Sequence, residues 1–489
     1  MRRSQGNALA AMFVVALAVA VQARSAPECL VSWRVAGQGA TAVRCTDGDP
    51  ACDTDGVVDG VCRVDVTVCV AVDGCAGAVR TMTIRGATPN VPWPSSLASG
   101  CAPSQSVQVR RGRGLRLRVI AQDGRGGIDR DRVRLTCATA GAVSTARAIV
   151  IATDFESGVL QTARVSAPHR IGRPPDPIHS DAVLRIAGDR AYVVNRLGGD
   201  NLQTLDPARG LRTIQECSTG VGSNPHDVAV VDRHHAYVTR YDNDRLWVVD
   251  PEARDCERGF RLAAIDLSSY ADADGLPEMD QLLLDGSRLY VTLQRLDRNR
   301  NFAPTDHSAL VVIDTLTNTV LGVKPLDGRN AFGDASGIQR EPGTGRLLIN
   351  QAGNIYQTGD GWIERVDPDL AAIAPSEHLI GEDVLGGNVT DFVIASASIG
   401  YAIVLTDDLT NRLVKFEYVP APGRVLKTLH VSQQYLPDIA LAPDGTLWLA
   451  DRTRADPGIR IFDPAQGDRV LTRVPLRFEL PPFAMGFLP

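Results

Sequence analysis

Lysine is almost absent from this chain of 489 residues, because only Lys324, Lys415 and Lys427 are present and arginine supplies the other positive charges. Acidic residues outnumber basic residues by 57 to 51, which gives a formal net charge of −6. A mildly acidic surface offers no broad basic patch for a phosphate backbone or an anionic bilayer. We therefore expect neither nucleic acid nor an anionic membrane as a partner.

The short motifs of common enzymes are also missing. The sequence contains no Gly-x-Ser-x-Gly elbow, no Gly-x-Gly-x-x-Gly after a strand, no P-loop and no His-Glu-x-x-His. A catalytic site in this chain would have to be assembled from scattered residues. The motifs therefore give no positive argument for an enzyme.

Long apolar runs are confined to the N-terminus. Arg2 and Arg3 precede an apolar run, Leu9 to Val21, that is too short to cross a bilayer comfortably, and small residues stand at the cleavage positions before residue 24. We predict a signal peptide over residues 1–23 and export to the periplasm or the extracellular space. A retained anchor is the alternative. Nothing after residue 23 predicts a transmembrane segment.

Ten cysteines agree with an oxidising compartment. No Cys-x-x-Cys is present and no histidine precedes residue 169, which disfavours the rival zinc interpretation. Eight cysteines lie before residue 146, and the last two follow at a distance, where a bridge between consecutive repeats is plausible. The disulfide candidates are Cys29, Cys45, Cys52, Cys62, Cys69, Cys75, Cys101, Cys137, Cys217 and Cys256.

Residues 24–145 are predicted to form a separate cysteine-rich β domain that resembles a β-sandwich. Its alternating segments VDVTVCVAV, VRTMTIRG, LRLRVIAQ and RVRLTC have the period of strands. The segment CTDGDPACDTDGVVDGVC resembles a cysteine-rich module of secreted bacterial proteins that has no assigned activity. Its aspartates invite a calcium loop, but Ala51 and Cys62 occupy the first and twelfth positions of an EF-hand pattern, so a solvated acidic loop is the alternative.

Residues 146–489 repeat one pattern. An aspartate, a short apolar strand, a tight turn, an aromatic-aliphatic strand, a polar loop and a strand ending near Asp-Pro recur, as in the segment AVLRIAGDRAYVVN after Asp181 and VAVVDRHHAYVTR after Asp227. The spacings run from 46 to 56 residues between the anchors Asp181, Asp227, Asp280, Ser336, Asp391 and Asp438. Four short strands in a period near 50 residues predict a β-propeller.

Six repeats are complete, and a seventh is split between the two ends of this region. Residues 147–165 have the character of later strands, whereas the segment from Pro482 has that of a first strand. Pairing the two would close the ring and remove exposed edges. We therefore predict an all-β fold with a seven-bladed β-propeller closed by the C-terminal strand.

The anchors define the candidate site. If each starts an innermost strand, carboxylates ring the channel, joined by two histidines that precede adjacent first strands. The channel-mouth binding candidates are Asp181, Asp227, Asp280, Asp391, Asp438, His179 and His226. Carboxylates of this kind bind Ca²⁺ or another divalent cation, with Asp227, Asp280 and Glu278 as candidate ligands, or each aspartate instead caps its own strand entry.

The strands YVVN, YVTR and YVTL that start at Tyr192, Tyr237 and Tyr290, followed by LQTLDP, LWVVDP and LVVIDT, resemble the YVTN repeat of YncE-like bacterial propellers. The resemblance covers residues 147–489 and implies fold rather than activity. Lactonases of the gluconolactonase type and streptogramin lyases belong to the same neighbourhood, which implies a metal at the channel mouth but no residue-by-residue match.

Two functions follow as expectations. The first is an exported binding scaffold whose long loops between second and third strands engage a protein, glycan or small-molecule ligand. The second is a metal-dependent hydrolase or lyase with a carboxylate and histidine site at the channel. A redox propeller with a quinone-type cofactor is a third possibility without a sequence feature of its own.

Overall fold

The computed structural model describes residues 31–35, 38–39, 42–46, 61–70, 81–85, 95–97, 100–110, 113–122, 128–138, 146–172, 175–304, 306–371 and 376–488. The predicted signal peptide, Cys29, Cys52 and Cys75 lie outside the described residues, as does most of the acidic segment between Asp47 and Asp59.

The first nine strands of the described chain form two sheets. They are β1 (Val31–Val35), β2 (Gln38–Gly39), β3 (Ala42–Thr46), β4 (Val61–Val70), β5 (Thr81–Arg85), β6 (Gly100–Cys101), β7 (Gln105–Arg110), β8 (Gly114–Gln122) and β9 (Ile128–Ala138). One sheet has the order β2-β1-β4-β6 with β7 also paired to β4, and the other has the order β3-β9-β8-β5. Both sheets contribute to one hydrophobic cluster, with Val66 and Val107 from the first and Leu117 and Val133 from the second.

Disulfides reinforce this shared core. The bridge between Cys62 and Cys137 joins β4 of one sheet to β9 of the other, and the bridge between Cys69 and Cys101 joins β4 to β6. Cys45 is disulfide-bonded as well, and no cysteine among the described residues is free. Such bridges stabilise a small domain mainly by restricting its unfolded chain. The domain boundary at residue 145 stays a prediction.

From residue 147 onward the described chain forms seven four-stranded antiparallel sheets, numbered 1 to 7 in chain order. Sheet 1 contains β10 (Arg147–Thr153), β11 (Gly158–Arg164) and β12 (Asp176–Ile178). Sheet 2 contains β13 (Ala182–Ala187), β14 (Arg190–Asn195), β15 (Asn201–Asp206) and β16 (Arg212–Ser218). Sheet 3 contains β17 (Val228–Asp232), β18 (His235–Val238), β19 (Arg245–Val249) and β20 (Arg261–Asp266).

The later sheets repeat the same order of strands. Sheet 4 contains β21 (Met279–Asp285), β22 (Arg288–Leu293), β23 (Ala309–Asp314) and β24 (Thr319–Pro325), and sheet 5 contains β25 (Ile338–Arg340), β26 (Leu347–Gln351), β27 (Trp362–Val366) and β28 (Glu377–Gly381). Sheet 6 contains β29 (Asn388–Ile394), β30 (Ile399–Leu405), β31 (Asn411–Glu417) and β32 (Arg424–Ser432), and sheet 7 contains β33 (Asp438–Leu441), β34 (Leu447–Asp451), β35 (Gly458–Asp463) and β36 (Arg469–Val470).

The last strand, β37 (Pro482–Leu488), is the first strand of sheet 1 in space. It pairs antiparallel with β10, from Ile151 opposite Ala484 to Arg147 opposite Leu488. It also packs against β33 of sheet 7 and β13 of sheet 2. A series of four-stranded antiparallel sheets is the architecture of a β-propeller. The all-β propeller class is therefore confirmed.

The hydrophobic core lies between neighbouring sheets. Tyr237 and Leu246 of sheet 3, for example, share one cluster with Leu289 and Val311 of sheet 4. Second strands are buried along their whole length, as in β14, while fourth strands such as β32 are largely exposed. A single sheet cannot bury its faces alone, which is why the repeat is needed for stability.

The recurrent Asp-Pro has a local cause. Asp206 accepts a hydrogen bond of 3.0 Å from the N–H of Ala208, and Asp463 accepts one of 3.0 Å from the N–H of Ala465. Each aspartate therefore caps a short helical turn whose first residue is proline, a residue with no N–H to leave unsatisfied. Two turns of the described chain have this form, Pro207–Arg209 and Pro464–Gln466. Its other short helical turns cover Cys256–Phe260, Ser268–Tyr270 and Arg298–Arg300.

Helix is otherwise scarce in the described chain. Its one α-helix, α1, covers Glu382–Leu385 between sheets 5 and 6. Among the described residues no helix has the length and apolar character that a membrane crossing requires. The disulfide between Cys217 and Cys256 ties β16 of sheet 2 to the turn after β19 of sheet 3, which confirms the predicted bridge between consecutive repeats.

Candidate functional site

One face of the propeller carries the loops between second and third strands and the connectors between sheets, and we call it the loop face. Exposed large apolar side chains there include Phe155, Leu197, Val221, Phe302, Ile355, Tyr356 and Leu409. Val221, Tyr356, Leu409 and Leu197 are 99%, 73%, 70% and 67% exposed, the four highest values for large apolar residues in the described chain.

The opposite face is much less apolar. The large apolar residues exposed in its loops are Ile171, Leu370 and Val419, which are 37%, 37% and 38% exposed. Because an exposed apolar side chain costs free energy in water, a concentration of such side chains on one face indicates contact with something else. The loop face is therefore the side on which a site is expected.

At the innermost strands, the predicted anchor Asp227 joins two sheets. Its Oδ1 accepts hydrogen bonds from the N–H of Val228 at 2.7 Å and from Nε of Arg185 at 2.7 Å, and its Oδ2 accepts one from the N–H of Leu282 in sheet 4 at 2.9 Å. The side chain is 1% exposed. Asp227 thus caps its own strand entry and also clasps the next sheet, so its oxygens are fully used by the protein.

Asp391 and Asp438 also accept hydrogen bonds from backbone N–H groups of neighbouring sheets. Oδ1 and Oδ2 of Asp391 accept hydrogen bonds from the N–H of Ser336 at 2.9 Å and of Ile439 at 3.0 Å, which joins sheet 6 to sheets 5 and 7. Oδ2 of Asp438 accepts one from the N–H of Met485 in β37 at 2.6 Å. We call these residues, with Asp227, the clasp carboxylates.

Two glutamines, which sequence reasoning missed, are neutral clasps. Gln281 of sheet 4 donates to the carbonyl of Gly333 and accepts from the N–H of Gly337, both just before sheet 5. Gln339 of sheet 5 donates to the carbonyl of Phe392 and accepts from the N–H of Ile394 in sheet 6. An amide both donates and accepts, so it satisfies two backbone groups without burying a charge.

Burial perturbs the clasp carboxylates because a desolvated charge is unfavourable. It raises the pKa of Asp438 to about 7, although the Met485 N–H bond and Arg185 oppose the shift. Burial, and then the charge of Asp438, hold the pKa of Asp391 well above its usual range. Burial also raises the pKa of Asp227 against the opposing charge of Arg185.

Arg185 occupies the channel that the first strands surround. Its guanidinium bonds Asp227 and, through Nη2, the carbonyl oxygen of Ala335 at 3.1 Å, a residue that precedes β25 of sheet 5. The charges of Asp438 and Asp391 also raise the pKa of Arg185, although burial, the largest influence, lowers it. The side chain reaches from sheet 2 to the approach of sheet 5 and supplies the positive charge among the clasp carboxylates.

The fourth buried anchor, Asp280, behaves differently. Its Oδ1 lies 2.8 Å from Nδ1 of His226, and its Oδ2 accepts a hydrogen bond of 2.9 Å from Nε2 of Gln294. The Gln294 oxygen accepts a hydrogen bond of 2.7 Å from the Tyr241 hydroxyl. The Tyr241 ring stacks on the imidazole, with centroids 4.0 Å apart and planes 11° apart. The four side chains form a closed network that fixes the imidazole.

Further polar groups share this end of the channel. Asp334, in the connector before sheet 5, lies close enough to the Tyr435 hydroxyl, Arg196 and Asp280 for each of them to influence its pKa. Burial raises the pKa of Asp334 to about 6, against the influence of the Tyr435 hydroxyl. Asp334, Tyr435 and Arg196, with His226 and Asp280, are called the mouth cluster. The sequence pattern held no signal for Asp334 or Tyr435, because both lie in irregular connectors.

The remaining anchors are local. Asp181 accepts a hydrogen bond of 2.8 Å from Nε of Arg196 and is 30% exposed, so it forms an ion pair at the start of sheet 2. His179 lies two residues away, with Nδ1 2.9 Å from the carbonyl oxygen of Asp181. The structure therefore places His226, but not His179, in the network of Asp280. Their predicted binding roles stay predictions.

Carboxylates that lie close enough for a cation occur elsewhere. In the described part of the chain, the group of three or more candidate ligands with atoms within 4.8 Å of one another consists of Asp272, Asp274 and Glu278. Glu278 is fully buried, and burial raises its pKa to about 8, although Arg298 opposes the shift through a hydrogen bond of 3.0 Å. Asp227 and Asp280 are not in this group, so the divalent-cation site predicted from Asp227, Asp280 and Glu278 stays a prediction.

Comparisons with known proteins give matches to solved structures alone. No family model matches the chain, and no curated protein matches it. Among solved structures, a putative 6-phosphogluconolactonase from Bacteroides fragilis is 13% identical with a TM-score of 0.46 and covers 72% of this chain and 100% of its own.

A catalytically inactive virginiamycin B lyase from Staphylococcus aureus is 10% identical with a TM-score of 0.42 and covers 64% of this chain and 94% of its own. A protein of unknown function from Bacteroides thetaiotaomicron is 11% identical with a TM-score of 0.35 and covers 94% and 92%. Likeness at this level carries no activity across. The place of the chain in the YVTN group stays a prediction.

Proposed function

We propose that the chain is an exported, seven-bladed β-propeller whose loop face binds a protein partner. The observation that carries the proposal is the concentration of exposed Val221, Tyr356, Leu409 and Leu197 on that face. Apolar and aromatic side chains within a polar surround are the anatomy of protein interfaces. Leucine and valine at separate loop tips favour a broad protein surface over a pocket for one small molecule.

Ring closure belongs to this proposal. In it, each of the seven sheets is one blade, and β37 completes the blade that starts at residue 147. The pairing of Ile151 with Ala484 and the packing of β37 on sheets 7 and 2 support a closed ring. Deleting residues 482–489 should leave β10 with an open edge and remove the packing on β33 and β13, and should therefore lower the melting temperature of the propeller sharply. An unchanged melting temperature would contradict closure.

Export is supported by the disulfides. Bridges join Cys62 to Cys137, Cys69 to Cys101 and Cys217 to Cys256, and such bridges persist in oxidising compartments. Expression of the full chain in a bacterial host should yield a protein that begins after residue 23 and lies in the periplasm or the medium. N-terminal sequencing and thiol counting of each fraction test this directly.

Binding can be tested without knowing the natural partner. A random-peptide library is selected on the wild type, and each enriched peptide is then measured by biolayer interferometry on two variants. The first combines Leu197→Ser, Tyr356→Ser and Leu409→Ser on the loop face. The second, a matched control, combines Ile171→Ser, Leu370→Ser and Val419→Ser on the opposite face.

We expect the loop-face variant to lose at least about tenfold in affinity, because a few apolar anchors carry most of the binding free energy of an interface. The control variant should bind as the wild type does. Equal losses in both variants, or peptides that recognise the N-terminal domain instead, would refute the proposal. The alternatives of a metal-dependent hydrolase or lyase and of a quinone-dependent redox protein stay predictions.

A further inference from the structure

The carboxylate of Asp280 can bind His226 because the next residue, Gln281, makes the hydrogen bonds to the neighbouring sheet. In sheet 3, the N–H of Asp227 donates to Oγ1 of Thr239, and in sheet 4 the N–H of Gln281 donates to Oγ1 of Thr292. Gln281 is therefore the structural equivalent of Asp227, and Asp280 is the equivalent of His226. The two equivalent positions of adjacent sheets meet as a carboxylate and an imidazole.

The strand geometry explains how both side chains are accommodated. Successive residues of a strand point to opposite sides. The register of β21 shifts between Met279 and Leu282, which is a β-bulge at Asp280 and Gln281. Bulges of this kind re-aim side chains and occur beside active sites. Gln281 joins the next sheet, while Asp280 lies against His226.

One ring nitrogen of His226, Nε2, has no hydrogen-bond partner among the described residues and is available to accept a proton. Nδ1 faces Asp280, which is 4% exposed, and Tyr241 covers one side of the ring. No described residue forms a hydrogen bond with Nε2, and this atom is not among the buried polar atoms that lack a partner, so solvent reaches it. The histidine side chain is 19% exposed. A buried carboxylate on Nδ1 fixes the tautomer in which Nε2 is unprotonated and accepts a proton.

We propose that His226, oriented by Asp280, is a general base at the channel mouth that activates water for the hydrolysis of a carboxylic ester. No serine, threonine or cysteine of the described chain is hydrogen-bonded to Nε2, so the base has water rather than a side-chain nucleophile to act on. This activity is independent of the loop-face partner and can fail without affecting it.

The step balances without another reactant. Nε2 takes a proton from water as the water oxygen forms a bond to the ester carbonyl carbon. The C–O bond to the alcohol then breaks, and the leaving alkoxide receives the proton from the imidazolium. Asp280 keeps its hydrogen bond to Nδ1 throughout and stabilises the imidazolium that forms. The products are an acid and an alcohol.

Arg452 selects the charge of the ester. Its Nη1 donates to the carbonyl oxygens of Pro481 and Pro482, at the start of β37, and its guanidinium lies 4.4 Å from the ring centroid of Phe155. It forms no ion pair with a carboxylate in the described chain, and its backbone N–H donates to the carbonyl oxygen of Tyr435, of the mouth cluster, at 3.3 Å. Burial lowers the pKa of Arg452, against the charge of nearby Asp154. An unpaired guanidinium at the mouth favours an ester that carries a negative group.

The test compares two chromogenic esters, p-nitrophenyl acetate and the anionic mono-p-nitrophenyl succinate, on the full mature chain. His226→Gln should lose about 100-fold in kcat/KM for both esters, since general bases contribute on that order. Asp280→Asn should lose up to as much as His226→Gln does, because the ring persists but the tautomer that accepts a proton on Nε2 is no longer fixed. Arg452→Gln should raise KM for the succinate ester only.

His234→Gln is the matched control. His234 also faces an aspartate, with Nδ1 3.2 Å from Asp250, but it is exposed in the turn between β17 and β18 on the opposite face. Its loss should leave both rates within twofold of the wild type. Equal effects of the two histidine variants, or hydrolysis no faster than in His226→Gln, would overturn the proposal.

Two further readouts separate catalysis from structure. The pH profile of the wild-type rate should depend on His226 and should flatten in His226→Gln. Nitrogen NMR of histidine-labelled protein should show His226 with a proton on Nδ1 and none on Nε2. A proton on Nε2 in the neutral ring would contradict the assigned role even if hydrolysis were observed.

Discussion

The junction of sheets 3 and 4 and the junctions around sheet 7 present aspartates at the same end of the innermost strands, yet they use them differently. Asp391 and Asp438 give their oxygens to backbone N–H groups of the neighbouring sheets. Asp280 gives its oxygens to two side chains, His226 and Gln294. In sheet 4 the inter-sheet hydrogen bonds are made by Gln281, so Asp280 does not have to make them. Its carboxylate can therefore orient a side chain that takes part in chemistry.

The comparison also separates two electrostatic regimes. The clasp carboxylates lie in a buried channel with Arg185 as their positive partner, and burial is the largest influence that raises the pKa of each. Asp280 instead faces an imidazole with solvent access. A carboxylate that is fully used by backbone donors cannot also bind a ligand, so the mouth cluster rather than the carboxylate ring is where a ligand meets ionisable side chains.

The largest effect should follow the loss of Asp227. Asp227→Ala leaves the N–H groups of Val228 and Leu282 without a hydrogen-bond acceptor. It also leaves the guanidinium of Arg185 without the carboxylate with which it forms an ion pair in the wild type. We expect a loss of about 3–5 kcal/mol in the free energy of unfolding, the range for breaking one side of a buried pair. Urea denaturation of the propeller measures it. A loss as small as that of Asp280→Ala would erase the distinction between clasp and mouth.

The neutral clasps should rank next. Gln281→Ala and Gln339→Ala each leave one buried carbonyl and one N–H without a partner, so we expect about 3 kcal/mol for each variant, at about 1–3 kcal/mol per unsatisfied group. The two values should agree because the two amides make equivalent bonds. If Gln281→Ala were neutral while Gln339→Ala was costly, Gln281 would not be what holds sheet 4 to sheet 5.

Sequence reasoning reached the architecture because a repeat leaves a periodic trace. The alternating segments form strands, and the Asp-Pro segments form capped turns. The split first repeat corresponds to the pairing of β37 with β10. The bridge between Cys217 and Cys256 could be predicted for the same reason, because both cysteines fall late in consecutive repeats. Local periodicity and turn chemistry were sufficient for these features.

The site was harder to predict because it depends on deviations from the repeat. The alignment of the repeats makes Asp280 the equivalent of Asp227. In the structure, the bulge in β21 makes Gln281 the equivalent of Asp227 instead. A one-residue shift in a strand exchanges its two faces and cannot be read from composition. Asp334 and Tyr435 stand in connectors without period, and only the packed structure brings Asp334 within range of the charge of Asp280.

The pH dependence of stability should distinguish a clasp carboxylate from Asp280. The folded pKa of Asp438, about 7, lies above that of an unfolded aspartate, so this residue stabilises the fold below about pH 4 and the contribution is lost as the pH rises through about 7. Asp438→Asn keeps an acceptor for Met485 and cannot ionise. We expect it to remove on the order of 2 kcal/mol of the loss of stability between pH 4 and pH 8. Asp280→Asn is the comparison, and an identical change in both would contradict the assignment.

The smallest effect should come from the histidine of the mouth cluster. In His226→Gln, the amide nitrogen still reaches Asp280, and only the stacking on Tyr241 is lost, so we expect a change below about 1 kcal/mol in the free energy of unfolding. Double-mutant cycles with Asp280→Asn measure the coupling between the two side chains. A coupling of several kcal/mol would mean that the pair is one more clasp between sheets 3 and 4. A small coupling, together with a large loss of ester hydrolysis, would mean that the pair contributes to chemistry more than to the fold.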